Sequence, residues 1–315
     1  MTSEFLNNVY KGTNGWKGYT LTILLTLFLN SFVAIYYLLF LFGFYMIVNI
    51  FGHNSNTISG TFYYFISMFL TTSIAFLFLI LSINVFHKRD ILSLINTSKQ
   101  RNFRGNIVKW YNRIRWNKFF NGVAIWSIFM IISIFVPYFI DPSKFEWNFH
   151  LNQFITLILL LFLTIPIQAS FEELLFRAYL NQGLSLKIKR PIIVIITSSF
   201  IFGLGHIVNG GLDPIAMFLN TFSAFLFGII ASLTTLADDG IEFSSGVHIT
   251  NNIFAFSMVG SVGGDNFGTL LIQTGSMGYF EIIWGIIPLI LFLLLVIIYK
   301  HDKLKEVLKK RHFYH

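Results

Sequence analysis

Long, uninterrupted apolar segments constrain this chain more than any other feature of its sequence. A helix needs about 20 apolar residues to cross the hydrocarbon core of a bilayer. The chain has 315 residues, of which 55% are hydrophobic and only 11% are charged, against about 25% charged in soluble domains. The apolar runs are continuous rather than alternating, which favours helices over a transmembrane β-barrel. The sequence therefore predicts an all-α protein, a polytopic transmembrane helical bundle.

About eight spans are predicted, and the basic residues indicate their orientation. The spans fall within 19–51, 61–86, 119–140, 151–184, 192–207, 215–237, 245–258 and 279–299. Of the 22 Lys and Arg residues, all but Lys144 and Arg177 lie in segments on one side of this arrangement. Because cytoplasmic loops carry the excess of Lys and Arg, both termini are predicted to be cytoplasmic.

The loop 87–118 is the one long hydrophilic stretch in the first half of the chain. It carries nine Lys and Arg residues against a single acid, Asp90, with Trp110, Tyr111 and Trp116 interleaved among them. Basic loops beside aromatic belts are typical of a membrane interface, so no nucleic-acid partner is expected. The chain has no cysteine, which excludes disulfides, Cys-ligated zinc and thiol nucleophiles.

Apart from Glu281 at the start of the last span, five acidic, basic or histidine side chains lie within the predicted spans. They are two acids, two histidines and one arginine: Glu172, Glu173, Arg177, His206 and His248. A charge at membrane depth costs about 2.5–3.5 kcal/mol on insertion scales and usually marks a functional site. Singly, each has a structural explanation, as an ion pair, a helix-end histidine or a packed polar residue. Together, on neighbouring spans, they indicate one polar site.

Spacing along the helices suggests which of these residues act together. Glu173 and Arg177 are four apart, so they share a helix face and are expected to pair. Glu172 is rotated by about 100° from Glu173 and is expected to have no partner on its own helix, which suits it to accept a proton from water. His248 and Asn252 are also four apart and share a face.

Three motifs in this region resemble those of a known family. Glu172-Glu173-x-x-x-Arg177, Phe202-x-x-x-His206 and His248-x-x-x-Asn252 are similar, in order and in spacing, to the motifs of the CPBP family. These are the CAAX-prenyl-protease and bacteriocin-processing intramembrane endopeptidases, also called the Abi family. The resemblance covers residues 151–260, about a third of the chain. Spans 1–3 and 8 carry no motif of this kind.

The resemblance implies an endopeptidase whose site lies in a membrane-embedded chamber. It implies that Glu172 and His206 activate water and that His248 and Asn252 stabilise the oxyanion or bind a metal. Structural support would come from three further residues, Glu173, Arg177 and Phe202. No cofactor is certain. Two histidines and a carboxylate, here Glu172, His206 and His248, are able to hold a catalytic zinc ion, and the same groups are able to act without metal.

The resemblance also implies three parts of the chain and a function. Residues 1–150 would hold spans 1–3 with the basic loop 87–118, residues 151–260 the catalytic core of spans 4–7, and residues 261–315 the last span and a basic tail. The protein would cleave a peptide bond of a membrane-associated protein or peptide, in contact with the lipid bilayer of a bacterial plasma membrane. The alternative is a non-catalytic scaffold or bacteriocin-immunity protein that retains the protease fold. A transporter is a third alternative, but it would need polar residues spread along a path, whereas the polar residues in these spans cluster at one place.

Overall fold

Helices make up nearly all of the described part of the chain. The computed structural model describes residues 3–29, 58–97, 113–211, 213–261, 266–274 and 279–309, together with Ile35 and Leu39. The helices are α1 (Glu4–Asn7), α2 (Trp16–Ile23), α3 (Ile58–Val85), α4 (Leu92–Ile95), α5 (Trp116–Ile140), α6 (Leu151–Glu172), α7 (Asn181–Ser185), α8 (Pro191–Leu204), α9 (Pro214–Asp238), α10 (Glu242–Ser257), α11 (Tyr279–Tyr299) and α12 (His301–Lys309). π-Helical turns form Leu24–Leu29 and Glu173–Leu180, and 3₁₀ turns form Asn8–Lys11, Pro142–Lys144 and Ile207–Gly210.

Five of the described helical segments are long and apolar enough to cross a membrane. They are Tyr64–Val85, Trp116–Ile140, Leu151–Ser185, Pro191–Asn209 and Pro214–Asp238, and a sixth is formed if Ile283–Tyr299 and His301–Lys309, bent by 83°, are one span. These correspond to predicted spans 2–6 and 8. The all-α polytopic fold is therefore confirmed.

Two of the predicted spans are not among these segments. The first, 19–51, lies largely outside the described residues, as does the segment 98–112 of the basic loop. The seventh, 245–258, corresponds to α10, a helix of 16 residues that is more polar than the five segments above. The count of eight spans, the cytoplasmic position of both termini and the three-part division of the chain stay predictions.

A small β-sheet joins two of the loops. Its strands are β1 (Phe145–Trp147), β2 (Val259–Ser261) and β3 (Leu271–Gln273), in the order β1-β3-β2. β1 and β3 are antiparallel, whereas β2 and β3 are parallel. Three-residue strands are too short to show an alternating pattern in the sequence.

Several helix boundaries follow from local sequence. Pro191 is the first residue of α8, where its missing N–H costs no hydrogen bond. Asp213 caps α9, since its side chain accepts a hydrogen bond from the Ile215 N–H at 2.9 Å. α9 ends at Asp238, and Asp239 follows in the left-handed conformation with a φ of 52°, which short polar residues tolerate better than most.

Ion pairs fix the start of α10, the helix that carries His248 and Asn252. Arg115, just before α5, donates to both carboxylate oxygens of buried Glu242, at 2.9 Å from Nε and 2.5 Å from Nη2. Lys118 and Lys300 both contact Asp238 Oδ1, at 2.9 and 2.6 Å. A bidentate arginine–carboxylate pair imposes geometry as well as energy. The first turn of α10 is therefore held against the start of α5, and the end of α9, just before it, is held by Lys118 of α5 and by Lys300 at the end of α11.

Two glycines let α5 and α10 pack backbone against backbone. A Cβ on Gly122 would collide with the carbonyl oxygen of Phe243, and a Cβ on Gly246 would collide with that of Phe119. Small residues at helix interfaces permit such close approach within membranes. Gly246 lies two residues before His248, so this contact holds the turn of α10 that carries the histidine against α5.

We expect Gly246→Ala to lower the free energy of unfolding by about 1–3 kcal/mol, because the new methyl group overpacks the interface. Thermal unfolding in detergent micelles would measure this effect. Gly285→Ala is the matched control: a Cβ there meets nothing within 4 Å, and alanine favours a helix over glycine by about 1 kcal/mol. Equal melting temperatures for Gly246→Ala and the parent would contradict this account of the interface.

The Glu172–Arg177 stretch lies between the main hydrophobic clusters of the described residues. One cluster includes Trp126, Phe202 and Phe227, and a second includes Ala178 and Tyr179. Phe176 packs against both. Side chains that follow the two glutamates thus anchor this stretch in well-packed surroundings, which position the charged groups.

Candidate active site

The two adjacent glutamates mark a change of helix type. Glu172 is the last residue of α6, and Glu173 begins the π-helical stretch that runs to Leu180. In a π-helix the backbone bonds from residue i to residue i+5, a rare arrangement that is frequent at functional sites. The α-helical spacing assumed in the sequence analysis therefore ends within the first motif.

Glu173 and Arg177 form the predicted ion pair. Arg177 Nε lies 3.3 Å from Glu173 Oε1, and the two side chains are 1% and 0% exposed. The Arg177 guanidinium also stacks on Phe202, with its central carbon 3.9 Å from the ring centroid. Guanidinium groups favour aromatic faces, more strongly when water is excluded. The first motif is thus connected to the second through a cation–π contact.

His248 joins the two glutamates. Its Nδ1 lies 2.8 Å from Glu173 Oε1, and its Nε2 lies 3.5 Å from Glu172 Oε2. The Glu173 carboxylate is paired with Arg177, so it accepts from His248, and Nδ1 carries the proton. This contact orients the imidazole, with its other nitrogen directed at Glu172.

Glu172 has a partner on its own helix, so the expectation that it had none was wrong. Gln168, one turn earlier, donates from Nε2 to Glu172 Oε1 at 2.5 Å. The spacing of four residues was visible in the sequence, and helical neighbours at this spacing interact. Gln168 was nevertheless missed, because a neutral glutamine is not marked by charge. The second oxygen, Oε2, accepts no hydrogen bond from the residues that the structure describes.

His206 lies just beyond α8, where the helix gives way to the 3₁₀ turn Ile207–Gly210. Its Nδ1 is 2.8 Å from the carbonyl oxygen of Phe202. A carbonyl only accepts, so Nδ1 donates and Nε2 is the unprotonated nitrogen of the neutral ring. Its ring centroid lies 4.4 Å from that of Phe202. Phe202 therefore contacts both Arg177 and His206.

The four predicted catalytic side chains line one cavity. Glu172, His206, His248 and Asn252 all border a cavity of about 640 Å³. Its lining also includes polar residues that sequence reasoning did not assign to the site, namely Gln168, Asn209, Asn220, Ser223 and Asn251. These residues lie far from the motifs in sequence or carry no charge, so no pattern marked them. The fold thus brings residues from α6, α10 and the end of α8 to one partly polar chamber.

Three of these residues, Glu172, His206 and His248, are also the ligands of the predicted zinc site. Among the described residues, no three His, Asp or Glu side chains are grouped closely enough to hold a metal ion. The Nδ1 atoms of His206 and His248 contact the Phe202 carbonyl and the Glu173 carboxylate, as the second nitrogen of a metal-bound histidine commonly does, which leaves Nε2 of each ring for a ligand. Glu172, His206 and His248 are thus of the right chemical type for zinc, although they are not grouped as ligands in this structure. Zinc stays a prediction of the family resemblance.

The apolar helices define an integral, multi-pass membrane protein, and a partly polar cavity lies among them. Residues 151–254 match the model of the Rce1-like family, described as type II CAAX prenyl endopeptidases. This confirms, over residues 151–254, the family resemblance inferred from the three motifs. The matched range includes every residue of the three motifs.

A bacterial relative extends the similarity beyond the motifs. The chain is 27% identical over 156 residues to the uncharacterized protein YyaK of Bacillus subtilis (strain 168). The alignment covers 49% of this chain and 52% of YyaK, so the chain spans about half the length of this relative. No solved structure matches the chain.

Proposed function

We propose that this protein is an intramembrane endopeptidase that hydrolyses a peptide bond of a membrane-associated protein or peptide. The observation that carries the proposal is the meeting of Glu172, His206, His248 and Asn252 at one cavity. They come from separate parts of the chain, all within the segment that matches an endopeptidase family. A cavity of this size lies in the range of known ligand sites, about 300–1,000 Å³.

In the proposed reaction, Glu172 is the general base. Its Oε2 is the oxygen left without a hydrogen bond from described residues, while Oε1 is held by Gln168. Oε2 accepts a proton from water as the water oxygen bonds to the scissile carbonyl carbon. His206 assists through Nε2, because its Nδ1 is committed to a carbonyl. The proton taken by Glu172 then passes to the leaving amine as the peptide C–N bond breaks.

His248 and Asn252 are proposed to stabilise the oxyanion. The Asn252 amide donates one N–H to Gln168 Oε1 at 2.9 Å, and its second N–H remains for the substrate. His248, held through Nδ1 by Glu173, lines the same cavity, and in the proposed reaction it donates to the oxyanion as the imidazolium, in which Nε2 also carries a proton. Donors fixed in advance toward a developing negative charge give large rate effects, about 10²- to 10³-fold for each donor. Glu173, Arg177 and Phe202 are proposed to position this machinery.

The proposed substrate is a peptide or protein segment at the membrane, and the proposed location is a bacterial plasma membrane. The apolar helices support insertion in a bilayer, and the relative is bacterial. A prenylated CAAX protein is a candidate substrate only in a host that prenylates proteins. Bacteriocin or peptide-pheromone precursors and membrane proteins are the others.

His206→Ala tests the proposal. We expect this variant to lose at least about 100-fold in cleavage rate, because it removes a group that assists proton transfer. The purified protein in lipid nanodiscs would be incubated with a peptide library, and new termini would be mapped by mass spectrometry. His150→Ala, an exposed histidine at the start of α6, is the control and should cleave as the parent does.

The same measurement separates the enzyme from the scaffold alternative. Cleavage that persists unchanged in His206→Ala would contradict the proposed role of this residue. A parent protein that cleaves nothing, yet protects cells against a bacteriocin equally well with or without His206, would favour an immunity protein that retains the fold.

A further inference from the structure

A chain of uncharged side chains runs from the hydrophobic core to the glutamate at the cavity. Trp126 Nε1 lies 3.3 Å from Asn251 Oδ1, and Asn251 Nδ2 lies 3.1 Å from Asn252 Oδ1. Asn252 Nδ2 lies 2.9 Å from Gln168 Oε1, and Gln168 Nε2 lies 2.5 Å from Glu172 Oε1. We call these five residues the amide relay. It connects α5, α10 and α6.

The two ends of the amide relay fix the direction of every hydrogen bond in it. An indole N–H only donates, and an ionised carboxylate only accepts. Each amide between them has one accepting oxygen and one donating NH₂ group, so each must receive a bond on its oxygen and pass one on from its nitrogen. The orientation of an amide is otherwise ambiguous and is assigned from its network. Here all four bonds run the same way, from Trp126 toward Glu172.

Because the bonds run toward Glu172, the amide relay delivers an N–H to Oε1 of its carboxylate and thereby holds that side chain in one rotamer. The other oxygen, Oε2, is left for His248 at 3.5 Å and for water. Reversing any one amide would bring two oxygens or two NH₂ groups together and would break the chain at that point. The donor that prevents reversal is the indole of Trp126.

Trp126 is remote from the reaction. Its side chain is 1% exposed, and it does not border the catalytic cavity. It borders an adjoining cavity of about 360 Å³, and Asn251 borders both cavities. A substrate in the catalytic cavity therefore need not contact Trp126. Its effect on catalysis would pass through the hydrogen bonds.

We infer that Trp126, Asn251 and Gln168 are positioning residues that orient the carboxylate of Glu172 for proton abstraction. Their catalytic effect rests on the peptidase function proposed above. The direction of the relay does not, because it follows from donor and acceptor chemistry alone.

Kinetics of two variants test the catalytic effect. Gln168→Met removes the bond to the carboxylate at similar side-chain size, and Trp126→Phe removes the terminal donor while it keeps an aromatic ring. We expect kcat to fall by about 10- to 100-fold in Gln168→Met, the loss that follows removal of a hydrogen bond to a charged group. Trp126→Phe should lower kcat by about 10-fold with KM unchanged. In a Gln168→Met background, Trp126→Phe should have no further effect, because residues that act as one unit are not additive.

Trp147→Phe is the matched control. Trp147 also donates its indole N–H, to the Tyr138 hydroxyl at 2.9 Å, but it lies in β1 outside the relay. This variant should keep the parent's kcat, and melting temperatures would show that each variant is folded. A folded Trp126→Phe with the parent's kcat, or losses that multiply in the double variant, would overturn the inference.

Infrared difference spectroscopy tests the relay without any substrate. The carboxylate band of Glu172 is the one that disappears in Glu172→Gln. It should shift in Gln168→Met and in Trp126→Phe but not in Trp147→Phe. An unshifted band in Trp126→Phe would overturn the relay even if cleavage is observed. Shifted bands with no cleavage by the parent would leave the relay standing and contradict the peptidase function instead.

Discussion

Replacing Glu172 by glutamine is expected to lower the cleavage rate by about 10³- to 10⁴-fold, the upper part of the range for general acid–base catalysis. Glutamine has nearly the same shape, and its amide oxygen still accepts the hydrogen bond from Gln168. It cannot accept a proton from water. Single-turnover cleavage of a peptide in nanodiscs, compared at equal protein concentration, would measure the loss.

Two further observations define this test. Glu146→Gln is the control, because Glu146 is an exposed acid in β1, away from the cavity, and this variant should keep the parent's rate. The melting temperature of Glu172→Gln should be close to that of the parent, so that lost activity is not lost fold. A folded Glu172→Gln that cleaves at the parent's rate would assign the proton transfer to another residue.

The second large effect is expected on stability. Arg177→Met should lower the free energy of unfolding by about 3–5 kcal/mol, because it leaves the fully buried carboxylate of Glu173 without its arginine partner. The variant also loses the stacking of the guanidinium on Phe202. Chemical or thermal unfolding in micelles, followed by near-ultraviolet circular dichroism, would measure the difference.

A double variant separates the charge from the packing. Glu173→Gln together with Arg177→Met removes both charges, so it should recover part of the stability lost in Arg177→Met alone. Replacing a buried pair by uncharged residues is often neutral or stabilising. If the double variant is less stable than Arg177→Met, the hydrogen bond from His248 stabilises the buried Glu173 carboxylate even without arginine, which would contradict this account of the pair.

Much of the fold was predictable because the bilayer imposes simple rules. Apolar length marks the spans, and local residues mark their ends, as Pro191 and Asp213 do for α8 and α9. The three-stranded sheet was not predictable, because its strands are three residues long and their partners are distant in sequence. The close contact of Gly122 and Gly246 with the opposite helix also depends on which faces meet.

The site was predictable where its interactions are local or chemically unusual. The pair of Glu173 with Arg177 follows from a spacing of four residues on one helix. The ionisable residues stood out because charge is costly in an apolar segment. Gln168 and Trp126 did not stand out, since one neutral amide and one tryptophan are ordinary in such a chain.

The sequence by itself determined that this chain is an α-helical membrane protein with a few charged residues placed in its spans, because both properties depend on composition and spacing along one helix. Only the tertiary structure decided how those residues are connected. It gave Glu172 a partner in Gln168, placed His248 between the two glutamates, and joined Trp126 on α5 to the cavity through Asn251. The reason is physical: a hydrogen bond requires about 3 Å and a definite orientation. Residues far apart in the sequence meet those conditions only when their helices have packed.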